Sequence, residues 1–125
     1  MTQQEILEYN KRCAEFLGWK NLNDDSFPEY VNSLGDFHPL RELKFHSDWN
    51  WIMEVVDAIE KLKFRFEIAL NEVNLYCISE ERRFSYAINY HDCENYGEEM
   101  HLTKKEEVVK AINQFLIWYN NEKSN

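Results

Sequence analysis

The chain is predicted to be an α+β domain, a three-stranded antiparallel meander packed with helices in the order α-α-β-β-β-α. Three observations carry this. Residues near both ends and before the middle repeat their apolar positions at helical spacing. Residues 64–90 switch to strict alternation, the signature of half-buried strands. The links between the alternating runs are short, and short links force neighbouring strands to run antiparallel. Helices packed on a small antiparallel sheet define the α+β class. At 125 residues the chain falls within the range of one domain, and residues 1–125 read as a single unit.

The first element opens with Thr2-Gln3-Gln4-Glu5, a Thr-x-x-Glu capping box. Ile6, Tyr9, Cys13, Phe16 and Leu17 then recur on one face, and Gly18 is the natural stop. The pattern predicts a helix over 2–17. Residues 19–44 have no clean periodicity. They read as a turn-rich loop punctuated by Pro28 and Pro39, with one short helical turn in "PEYVNSL". Trp19, Phe27, Tyr30, Val31, Leu34, Phe37, Leu40 and Leu43 make this segment apolar enough to pack over the core. A long structureless stretch is uncommon in a compact domain, so it is either functional or holds short elements.

"FHSDWNW", residues 45–51, begins the next helix, predicted over 47–62. Ser47 or Asp48 supplies the cap oxygen, and aspartate there suits the helix dipole. The buried face runs Ile52, Val55, Val56, Ile59 and Leu62. His46 is positioned to stack on Trp51 in a staple-like contact.

The strands follow. Phe64, Phe66, Ile68 and Leu70 share one face of the first. Val73, Leu75 and Cys77 share a face of the second, and Phe84, Tyr86, Ile88 and Tyr90 of the third. Residues 91–102 read as an acidic loop. A second capping box, Thr103-Lys104-Lys105-Glu106, then starts the last helix, whose stripe is Val108, Ile112, Phe115, Leu116 and Tyr119.

Composition bounds the function. The chain carries 23 Asp+Glu against 14 Lys+Arg, net −9. No basic stripe is visible to displace counterions from phosphates, which argues against nucleic acid and against anionic membranes. An acidic surface fits a basic protein partner or plain solubility. Cys13, Cys77 and Cys93 form no disulfide framework, so reduced thiols in a cytoplasmic setting are expected. The polar N-terminus lacks a signal core. The apolar run "FLIWY" at 115–119 is too short to span a bilayer.

Candidate chemistry is sparse, and no cofactor is expected. His91, Asp92, Cys93 and His101 are metal-ligand types, but their spacing matches no zinc template, and an exposed acidic loop is the preferred account. A nucleophilic Cys93 would need a base aimed at it and a lowered pKa. Paired carboxylates arise by chance in an acidic chain, and Glu106-Glu107 has a plain place in the first turn of a helix. There is no glycine-rich phosphate loop and no nucleophile elbow. The binding candidates are aromatic. Trp49 and Trp51 project about 200° apart around a helix, so one core cannot bury both. Trp118 lies off the main stripe of its helix. Together with His46 these form the candidate binding set, set against burial beneath the 19–44 segment.

"AEFLGWK", "FHSDWNWIMEVVDAIEKL", a short meander and a closing helix ending "FLIWYN" resemble a group of small uncharacterised phage and Bacteroidota proteins. More loosely, the arrangement is similar to the phage α-β-α (ABA) sandwich domain. The resemblance implies an accessory protein of phage or mobile-element origin and no catalytic residue. Two features depart from it, the 19–44 segment and the acidic 91–102 loop. The expected function is therefore a small non-enzymatic acidic binding protein that engages a host protein. The alternatives are a metal- or thiol-dependent enzyme centred on residues 91–101, or a small-ligand binder with its pocket between the long loop and the sheet.

Overall fold

The computed structural model describes residues 1–22, 29–69, 72–78, 84–89 and 100–123. Phe27, Leu70, Tyr90, His91, Asp92 and Cys93 lie outside the described residues. Three α-helices and two small antiparallel sheets make the fold α+β. The order is α-β-β-β-α-β-β-β-α. The predicted meander is the second sheet, and the first lies within the segment read as a loop. The chain groups into two compact units, Met1–Val55 and Val56–Asn125.

In the Met1–Val55 unit, α1 spans Gln3–Phe16. The capping box forms in full: the Glu5 amide donates to Thr2 Oγ1 at 3.1 Å, and the Thr2 amide donates to Glu5 Oε1 at 3.1 Å. Such a cap contributes about 1 kcal/mol. The helix ends where glycine ends it. Gly18 takes φ +82, a left-handed conformation that costs a residue with a Cβ about 1–2 kcal/mol. Its amide donates to Glu15 O at 3.0 Å, and the Trp19 amide donates to Ala14 O at 2.9 Å. These two bonds are the Schellman pattern, and they set the direction in which Trp19 leaves the helix.

Three short strands follow: β1 (Lys20–Asn21), β2 (Glu29–Val31) and β3 (Phe37–Pro39). β2 is central, pairing Tyr30 with Asn21 and with His38. Pro39 sits on an edge strand, where a missing N–H costs no ladder bond. The helical turn predicted in "PEYVNSL" is, over the described residues 29–34, instead strand and turn. Asn32 Oδ1 accepts from the Leu34 amide at 3.0 Å and the Asp36 amide at 2.9 Å, and Gly35 takes φ +87. The asparagine thus supplies the backbone with a turn that competes with helix. Tyr30 and Leu43 are buried as expected, whereas Leu34 and Phe37 are exposed. A 3₁₀ turn at Leu40–Glu42 leads on from β3.

Helix α2 spans Trp49–Glu60, and the division between the units falls inside it. Asp48, not Ser47, provides the cap oxygen, accepting from the Asn50 amide at 2.8 Å. Ile52, Val55, Val56 and Ile59 are all buried, as the periodicity predicts, whereas Leu62 lies in the turn past the helix end and is half-buried.

In the Val56–Asn125 unit, β4 (Phe64–Ile68), β5 (Glu72–Cys77) and β6 (Ser85–Asn89) form the meander in sequence order. Phe66 faces Leu75, and Leu75 faces Tyr86. Phe64, Phe66, Val73 and Leu75 are buried on one face. Helix α3 spans Met100–Lys123. Thr103 therefore lies within it, and the predicted second cap is not a helix start. Met-His-Leu holds no helix breaker, so propensity carries the helix past Thr103 toward the N-terminus. Val108, Ile112, Phe115 and Leu116 are buried, with Tyr119 half-buried and stacked on Phe115. No helix among the described residues is long and apolar enough to cross a membrane.

Candidate functional site

The Met1–Val55 unit holds a four-ring aromatic cluster. Trp51 meets Phe45 at 5.0 Å, His38 at 5.2 Å and Trp19 at 5.6 Å between centroids, each edge to face. Trp19 in turn stacks on His38 at 5.5 Å and tilts against Phe45 at 5.2 Å. Each such pair contributes about 0.5–1.5 kcal/mol beyond burial. Four parts of the chain deliver the rings, Phe45 coming from the turn that precedes α2. The helix end at Gly18 places Trp19, β3 places His38, and the first turn of α2 places Trp51.

The histidine whose ring packs on Trp51 is thus His38, where the sequence pointed to His46. His46 is held by α1. Asn10, only 1% exposed, places Nδ2 3.2 Å from Leu43 O and 3.1 Å from His46 Nδ1. A backbone carbonyl only accepts, so the nitrogen of Asn10 must face it. The same NH₂ group then donates its second hydrogen to His46 Nδ1. His46 Nδ1 accepts, and in the neutral ring the proton sits on Nε2. Burial lowers the His46 pKa from its ordinary value, and a donor facing Nδ1 works in the same direction. The adjacent turn of α1 adds a second tie, with Tyr9 Oη donating to Phe45 O at 2.9 Å. Burial pushes the Tyr9 phenol well above its ordinary range and the Cys13 thiol likewise upward. Both stay protonated and serve packing.

Beside this cluster lies a cleft of about 380 Å³, lined by His38, Arg41, Glu42, Leu43, Lys44, His46 and Trp51. Arg41 and Lys44 are exposed, and no carboxylate among the described residues lies within ion-pair distance of either. The lining carries two permanent cations, Arg41 and Lys44, against one carboxylate, Glu42, in a chain whose net charge is −9. Sequence reasoning named Trp51 and His46 here and missed Asn10, His38, Arg41 and Lys44. The signals were present. His38, Arg41 and Lys44 recur every third residue, though only Arg41 lies in the 3₁₀ turn. Asn10 interrupts the apolar stripe four residues after Ile6 and three before Cys13.

The other predicted tryptophans separate. Trp49 is 37% exposed, and Met53, one turn later on the same face of α2, is 39% exposed. Trp118 is half-buried against Phe84 at 5.6 Å and against Phe64 and Phe115 at 5.9 Å each. It is part of the aromatic packing of the second unit.

Residues 91 and 93 lie outside the described residues. His101 falls in the first turn of α3, with its side chain also outside them. Glu107 is not a first-turn carboxylate. It is buried within α3, accepts a hydrogen bond from Tyr86 Oη, and pairs with Lys110 Nζ at 3.2 Å. Its place four residues before Ala111 and eight before Phe115 puts it on the buried stripe. Cys13 and Cys77 are thiols and not disulfide partners. No family model matches the chain, and no curated protein or solved structure matches it.

Proposed function

We propose that this chain is a small non-enzymatic binding protein, an accessory factor of phage or mobile-element origin acting in the cytoplasm on a basic host protein. The observation that carries this reading is the pair Trp49 and Met53, exposed one turn apart on α2. Neighbouring positions on a helix present one contact surface. Tryptophan dominates binding hot spots, and methionine adapts to irregular partner surfaces. The exposed Glu54 beside them and the net charge of −9 favour a basic partner.

Native mass spectrometry of tagged protein from its own host provides the test. A polypeptide should co-purify with wild type and be lost from Trp49→Ser/Met53→Ser, with affinity for that polypeptide falling about 30-fold or more. Unchanged affinity in the double variant would remove this face from the reading. A stoichiometric metal increment in place of a polypeptide would favour an enzyme instead.

A further inference from the structure

We propose that the cleft beside Trp51 is a binding site for a small planar organic anion, an aromatic ring bearing a carboxylate or phosphate. The site is separate from the Trp49–Met53 face and does not depend on it. Its volume, about 380 Å³, lies within the range of small-molecule sites. The walls divide by chemistry. Trp51 supplies apolar surface, and its ring is locked by contacts to Trp19, His38 and Phe45. Arg41 and Lys44 supply charge, and both are without an ion-pair partner among the described residues. A guanidinium is a planar fork that matches carboxylate and phosphate oxygens two at a time.

His46 completes the set as a fixed donor. Its Nδ1 is taken by the Asn10 amide, which the Leu43 carbonyl orients. The remaining ring position is therefore an N–H in the neutral imidazole. A buried asparagine that holds a half-buried histidine in one tautomer does little for an idle surface. It is what a pre-organised hydrogen-bond donor requires. Two cations and a ring donor against one carboxylate, Glu42, make the cleft locally positive in an acidic protein. That contrast draws anions to this place and away from the rest of the surface.

The experiment is a titration of the intact chain with benzoate, phenyl phosphate and neutral benzamide. It is followed by calorimetry and by the indole and arginine Nε–H resonances in two-dimensional NMR. At least one anion should bind saturably and shift the Trp51 and Arg41 signals, with benzamide about tenfold or more weaker. Which anion binds tighter identifies the headgroup. Arg41→Gln should weaken the tighter anion about tenfold, and Lys44→Gln serves as the second variant at another exposed position. Absence of saturable binding by either anion would overturn the proposal. So would equal affinity for benzamide, or affinity unchanged in both variants.

Discussion

The Met1–Val55 and Val56–Asn125 units bury their apolar surface with different materials. The second uses a meander with strands of five and six residues and a helix of 24 residues. Apart from Glu107, its buried residues among those described are apolar, alternating along the strands and striped along α3, and its large exposed apolar residues among those described are Ile78 and Ile117. The first has strands of two and three residues. It is tied together by side chains that reach backbone carbonyls, Tyr9 to Phe45 and Asn10 to Leu43. Among the described residues it exposes Met1, Leu22, Leu34, Phe37, Trp49 and Met53, and it contains the cleft. Regular packing gives stability with few loose ends. Irregular packing held by specific hydrogen bonds leaves apolar and charged groups at the surface, where binding takes place.

Three substitutions probe that contrast. The largest effect is expected at Phe64, fully buried in the second unit against Phe115 at 4.9 Å. Phe64→Ala should cost about 3–5 kcal/mol in urea unfolding, through lost burial and the cavity left behind. Next is Tyr9→Phe in the first unit. The ring stays, but the Phe45 carbonyl loses its donor, and a loss of about 1–3 kcal/mol is expected. If Tyr9→Phe were neutral, the Tyr9 tie would contribute nothing and the contrast would rest on Asn10 alone.

The smallest effect is that of pH on His46. Its folded pKa lies below the ordinary 6.5, so near and below that pH the unfolded chain binds the extra proton. The contribution is present in full above pH 6.5 and is lost as pH falls through the lowered folded value. The stability gap between wild type and His46→Gln should therefore shrink between about pH 7.5 and about pH 5.5. An NMR titration of His46 should give a midpoint below 6.5; a midpoint above it would mean that Asn10 does not hold the ring neutral.

How much was legible follows the same division. The meander is legible strand by strand, because runs of five and six residues show their alternation. The first sheet is not legible, because two or three residues show no period at all. The cap of α2 is legible to within one residue, Ser47 or Asp48, because a cap bond spans two residues, and the structure places it at Asp48. The contact between Asn10 and His46 spans 36 residues, and nothing local to either end announces it. Trp49 and Trp51 were known to diverge from helix geometry, but which of them faced the cluster depended on where Trp19 and His38 arrived.

By itself the sequence determined the α+β class, the capping box at Thr2, the stop at Gly18, the buried stripe of α2 and the alternation of the meander. Each is set by hydrogen-bond chemistry or side-chain direction within a few consecutive residues, and such interactions form wherever the chain goes. Only the tertiary structure decided the four-ring cluster, the tautomer of His46, the cleft that Arg41 and Lys44 line, and the burial of Glu107. These depend on distant segments meeting at contact distance, and that meeting is arranged by the packing of the unit around them.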